Sequence, residues 1–148
     1  MADGTAINTR FEWIEAHGHG RSSAERITLL QMLYANPAFK TNPRIANIGV
    51  HLGHAYMVAK HPHEEFHWKA LIEQIESFQR QPPMDKLVAE ILRENYQGAL
   101  MRYADCLDRR DERVTLRDVV KKLEANFADD EGGKTARRLK TKLEPASK

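Results

Sequence analysis

The sequence predicts an all-α fold, and three observations carry that prediction. Apolar residues recur at three- and four-residue spacing through most of the chain. No alternation of apolar and polar residues runs beyond three or four positions, so no strand pattern develops. Proline, glycine and capping residues cut the chain into segments of helical length. The expected form is a compact bundle or orthogonal array of about five to six helices with a basic C-terminal tail. Residues 1–132 read as a single helical domain and residues 133–148 as the tail. Pro82-Pro83 is a rigid break, but each half alone would be marginally stable.

The elements follow in order. Phe11, Trp13 and Ile14 suggest a short first helix that ends at the His17–Gly20 stretch, HGHG. That stretch lacks the phosphate-loop pattern and no strand precedes it, so it reads as a flexible link. Ser22 with Glu25 three residues on forms a capping box. Ile27, Leu29, Leu30, Leu33 and Tyr34 have helical spacing, and Asn36-Pro37 stops the run. Asn42-Pro43 starts the third helix as cap and first residue. Ile45, Ile48, Leu52, Ala55 and Ala59 form its buried stripe, and His61-Pro62 ends it. Gly49 and Gly53, four apart, indicate a close helix approach or a turn. The fourth helix carries Trp68, Leu71, Ile75 and Phe78. The fifth is the longest, from about Met84 to Leu107, with Val88, Leu92, Ala99 and Tyr103 facing inward and Tyr96 beside them. Asp108 to Arg113 balance their charges and read as a solvated turn. Thr115 with Asp118 resembles a cap for the sixth helix, whose core side is Leu116, Val119, Val120, Leu123 and Phe127. Asp129 to Gly133 end it.

Composition excludes several classes of function. The 148 residues are 41% hydrophobic and 30% charged, an ordinary globular mixture. No apolar run approaches the roughly 18–20 residues of a membrane span, so no membrane association is expected. MADGTAINTR has no apolar stretch behind a basic start, unlike a secretory signal. Cys106 is the single cysteine. It precludes an internal disulfide, fits a cytoplasmic location, and reads as a small buried apolar residue. No G-x-S-x-G elbow, dinucleotide loop or nucleophile–base pair is visible, so catalysis is not expected.

The densest unusual feature lies between His51 and His67, which span five of the seven histidines: His51, His54, His61, His63 and His67. Within it His63-Glu64-Glu65-Phe66-His67 matches H-E-x-x-H. On a helix the two histidines share one face and can hold one Zn²⁺, and Glu64 would act as base on a metal-bound water. Over these five residues the chain resembles the zinc metallopeptidases, which would make zinc the cofactor; otherwise none is expected. Glu90 or Glu94 would have to supply a third ligand. The plainer reading places these histidines at helix ends and at the rim of an apolar stripe. Charging together in mild acid, they would also form a pH-sensitive seam between two helices.

Residues 26–60 resemble a helix-turn-helix, with Gly49 as the turn glycine and Arg44, His51, His54 and Lys60 near DNA. The alternative is one continuous amphipathic helix through Gly49. The tail is the stronger polyanion candidate. Residues 133–148 carry Lys134, Arg137, Arg138, Lys140, Lys142 and Lys148 against Glu144 alone, a local +5 in a chain of net +2. If Leu139 and Leu143 share one helical side, the cations crowd the others and can contact several phosphates. Arg102, Arg109, Arg110 and Arg113 would extend the basic strip.

Three classes of function follow. The first is a nucleic-acid-associated accessory protein, DNA or RNA, using Arg44, Lys60, Lys134, Arg137, Arg138, Lys140 and Lys142. The second is an adaptor or structural subunit whose helical faces bind a protein partner or a second copy. The third is a metal- or pH-responsive domain built on His63 and His67.

Overall fold

A computed structural model describes residues 4–17, 23–81 and 85–144. All regular structure among them is helical: α1 (Gly4–His17), α2 (Ser23–Tyr34), a single 3-10 turn (Pro37–Phe39), α3 (Ile45–Val58), α4 (Glu64–Gln79), α5 (Lys86–Arg109), α6 (Arg113–Phe127) and α7 (Glu131–Leu143). The expected class is correct, but the described residues form seven helices, and residues 133–143 of the basic tail belong to the last of them. Gly18–Gly20 of HGHG, Ser22 of the capping box and the Pro82-Pro83 break lie outside the described residues. No described helix is long and apolar enough to cross a membrane.

The helices form two compact units, residues 1–95 and 96–148, divided within α5. In the first unit α1 packs on α2 and α3, α2 on α3, and α3 on α4. Its core is made of Ile7 and Ile14 from α1, Ile27, Leu30 and Leu33 from α2, Phe39, the Ile45–Tyr56 stripe of α3, and Trp68, Leu71, Ile72, Ile75 and Phe78 of α4. Asn42, expected as the cap, lies two residues before the helix-preceding Arg44: its Oδ1 accepts from the Arg44 N–H at 3.0 Å, and no side chain caps α3 from Arg44 itself. Helical residues begin at Ile45, two beyond the expected Pro43. Ala59, expected in the stripe, is the exposed cap residue after it.

The helix-turn-helix reading is corrected here. α3 runs unbroken through Gly49 and Gly53. Both glycines serve close approach. A Cβ on Gly49 would lie 2.5 Å from Leu71 Cδ1 and 2.9 Å from Tyr34 Cε1. One on Gly53 would run into Trp68 Cη2, with Cζ2 and Cζ3 2.6 Å away. No side chain but hydrogen fits between α3 and the Trp68 ring.

Polar side chains lock the same three helices. His67 Nε2 on α4 donates to the Gly49 carbonyl at 2.7 Å. Tyr34 Oη on α2 donates to Gln74 Oε1 at 2.6 Å. Gln31 Nε2 donates to Tyr56 Oη at 2.7 Å. α1 is held to α2 by the Arg26–Glu15 pair, 2.6 Å apart.

Asp85, not singled out in the sequence, caps α5: its Oδ1 accepts from the N–H of Leu87 at 2.9 Å. Val88 is partly exposed rather than core, whereas Leu92 is buried.

In the second unit α6 packs against α7. The core is Tyr96, Ala99, Leu100, Tyr103, Ala104, Cys106 and Leu107 of α5, Leu116, Val119, Val120, Leu123 and Phe127 of α6, and Ala136, Leu139 and Leu143 of α7. Residues 136, 139 and 143 make one apolar stripe, which is why the basic segment folds as a helix against α6. Gly132 and Gly133 sit in its first turn. A Cβ on Gly133 would collide with the Ala128 carbonyl oxygen, so the corner closes only with glycine there. Gln97 Oε1 accepts from the Gly132 N–H at 2.7 Å, capping α7 from α5.

Gly53→Ala is expected to lower unfolding stability by about 1–3 kcal/mol, because a rigid indole cannot yield as an alkyl tip can. Gly98, within α5, has nothing within 4 Å of a built Cβ. Gly98→Ala is therefore expected to raise stability by about 0.4–1 kcal/mol. Urea unfolding of the two variants beside wild type checks both signs.

Candidate functional site

Three places in the fold bear on function. The first is the histidine segment. His63 is the residue preceding α4 and is exposed; His67 lies one turn inside and is 5% exposed. A carbonyl only accepts, so the bond to Gly49 places the proton on Nε2 of His67. Glu64 is 2% exposed, and its Oε2 accepts from the Trp68 indole N–H at 3.0 Å. Two of the three groups that H-E-x-x-H would offer to zinc chemistry, His67 and Glu64, thus serve as struts between α3 and α4 and within α4. Among the described residues no three His, Cys, Asp or Glu side chains are grouped to hold a metal ion. The residues present do not fit a zinc site.

The histidines gather instead around an aromatic ring. Tyr56 lies 4.6 Å from the ring centre of His61, 5.6 Å from His63 and 5.3 Å from His67. His51 stacks against Phe11 of α1 at 4.5 Å. His54 is exposed. Burial holds the Tyr34 phenol up at about 12. Burial also pushes His67 below the ordinary histidine value of 6.5, with the Gly49 bond opposing and His63 assisting. His51 is lowered by burial too; Glu15 opposes, while Arg26 and His54 add to the lowering.

The second place is the face of α7. Lys134, Arg137, Arg138, Lys140 and Lys142 are all exposed, as a buried Leu139–Leu143 stripe requires. Four of them face carboxylates: Lys134 with Glu131 at 3.1 Å, Arg138 with Asp105 at 3.3 Å, Lys140 with Glu124 at 3.4 Å and Lys142 with Asp108 at 2.8 Å. Arg137 donates to the Ala128 carbonyl at 3.1 Å, closing the end of α6. Arg113 and Arg117 donate to the last carbonyls of α7, at Lys142 and Leu143, at 3.0 and 3.4 Å. Cations at a helix C-terminus also match its dipole. The structure does not gather the two α3 cations with each other. Arg44 precedes α3 and Lys60 follows it, about 20 Å apart along the axis at the helical rise. Lys60 also adopts a left-handed backbone, φ 53°.

The third place was not legible as a site in the sequence. Arg10, Trp13 and Ile14 of α1, with Leu29, Met32 and Leu33 of α2 and Asn36 beyond it, line an open groove. Ile14 and Leu33 are buried, while Trp13 is 49% and Met32 66% exposed. Trp13 and Met32 each stand one residue off their helix's buried stripe. That extra width of the apolar arc was the available signal.

No protein-family model matches the chain, and no curated protein or solved structure is significantly similar to it.

The histidine shifts have a definite sign. For a base whose pKa is lower when folded, the unfolded chain binds the extra proton. The contribution of His67 is therefore complete above about pH 6.5 and is lost as pH falls from there toward the folded value. Thermal unfolding should show the melting temperature falling between pH 7 and pH 5, roughly the range over which histidine charges. His67→Gln keeps a donor for Gly49 and cannot charge, so its melting temperature should fall less over that range.

Proposed function

We propose that the chain is a non-catalytic helical adaptor that seats a helical segment of a partner protein in the α1–α2 groove. One observation carries the reading. A tryptophan and a methionine stand exposed on the two walls of a groove whose lining includes the buried Ile14 and Leu33. A few residues carry most of the binding energy at protein interfaces, with tryptophan prominent among them, and methionine adapts its shape to a partner. Single exposed apolar residues are ordinary on any surface; a cluster around one concavity is the pattern of a docking site. A helix laid across two helices reads its partner through anchors on one face.

The basic helix supports this choice over nucleic-acid association. Four of its cations face carboxylates, three of them on α5 or α6. Exposed ion pairs of this kind contribute about 0–1 kcal/mol each, yet they set acidic groups where phosphates would have to approach.

The test is selection of helical peptides from a displayed library on the full chain, followed by titration of the recovered peptides. Trp13→Ala is expected to weaken them about thirtyfold, the equivalent of about 2 kcal/mol, and Met32→Ala about fivefold. The more exposed Met32 serves as the variant that leaves the fold intact, checked by circular dichroism. Peptides indifferent to both substitutions would sink the reading. So would tight, steeply salt-dependent binding of duplex DNA, single-stranded DNA or RNA that is lost on replacing Lys134, Arg137 and Arg138 by glutamine.

A further inference from the structure

We infer that the occupant of the α1–α2 groove is an amphipathic helix carrying an acidic residue beside its apolar anchors, with the carboxylate meeting Arg10. The inference rests on the docking function proposed above and adds the chemistry of the partner. Among the described residues that line the groove, Arg10 alone is charged. It stands about one turn before Trp13 and Ile14, so the cation marks one end of the concavity. Its guanidinium lies over the buried Phe39 ring, 5.2 Å from the centre. Stacking of this kind orients the planar fork while leaving its N–H edge free for a carboxylate. The neighbouring acid Glu15 is already engaged by Arg26 at 2.6 Å, and neither lines the groove. The groove therefore offers apolar walls with one oriented positive end.

Its length sets the spacing of the partner's residues. From Leu29 of α2 to Asn36 just beyond its end the wall extends about 10 Å at the helical rise, close to two turns. An occupant of that reach presents two apolar anchors one turn apart and its carboxylate one turn beyond. A lysine at the last position would meet Arg10 with like charge.

Two stapled amphipathic peptides provide the probe. Both carry leucine at i and i+4; one has glutamate at i+8 and the other lysine. Each is fluorescein-labelled and titrated against the full chain by anisotropy. The glutamate peptide is expected to bind roughly two- to fivefold more tightly at low salt, the range of an exposed charge pair. The preference should shrink as salt rises. It should vanish in Arg10→Gln and persist in Arg10→Lys, with circular dichroism confirming that both variants stay folded. If both peptides bind equally, need Met32 and ignore Arg10→Gln, docking stands and the acidic partner is overturned. If neither peptide binds, both proposals fall. A concentration-dependent dimer in sedimentation velocity, abolished by Trp13→Ala, would place a second copy in the groove and overturn the inference as well.

Discussion

The contact between Gly53 of α3 and the Trp68 ring of α4 is the constraint on which the first unit depends. A fully buried indole needs both a flat partner surface and an acceptor for its N–H. The bare backbone at Gly53 supplies the first and Glu64 the second. Once α3 and α4 approach this closely, Leu71 comes to rest over Gly49, and His67 reaches the Gly49 carbonyl. A carbonyl inside a helix that also serves its own ladder can accept a second bond because it has two lone pairs. Tyr34 and Gln31 then bring α2 onto the same pair through Gln74 and Tyr56. His67, a flat ring with a polar edge, is the histidine that enters this gap.

In the second unit the organising feature is α7, a helix whose surface is strongly basic and whose buried stripe is short. Its buried residues are Gly132, Gly133, Ala136, Leu139 and Leu143, of which two are large apolar residues. Side chains from neighbouring helices complete its ends: Gln97 at the first turn, Arg113 and Arg117 at the last. The carboxylates of Asp105, Asp108 and Glu124 sit opposite its cations. A segment that by composition resembles a solvated tail is thus a folded part of the molecule. Its charge has local partners.

Shape leads to the α1–α2 groove. α1 buries Ile7 and Ile14 and turns Trp13 outward, so one helix both anchors itself and shows a large apolar side chain to solvent. Beside this packing, the Arg26–Glu15 pair, the Phe11–His51 contact and the Arg10–Phe39 contact hold it. Each joins α1 to a different part of the first unit, which fixes the wall of the groove without filling it.

Much of the fold was readable from residue order alone. Helical periodicity fixed the class, the Ile45–Ala55 and Trp68–Phe78 stripes, and the core side of α6, because a 3.6-residue repeat is written locally. The Asn36-Pro37 stop was readable because it too is local. Tertiary structure alone decided what the ambiguous residues do. Gly49 could be a turn or a point of close approach until Leu71 and Tyr34 were placed beside it. His63-Glu64-Glu65-Phe66-His67 could be a metal motif until Gly49 and Trp68 took its donors. The tail cations could face phosphate or carboxylate until Asp105, Asp108 and Glu124, distant in sequence, were brought opposite them. The groove formed by Trp13 and Met32 had no sequence pattern of its own, because concavity arises only when two helices lie side by side. Local repetition determines which residues are helical; the partners that satisfy, bury or leave exposed each side chain come from elsewhere in the chain, and only folding brings them into contact.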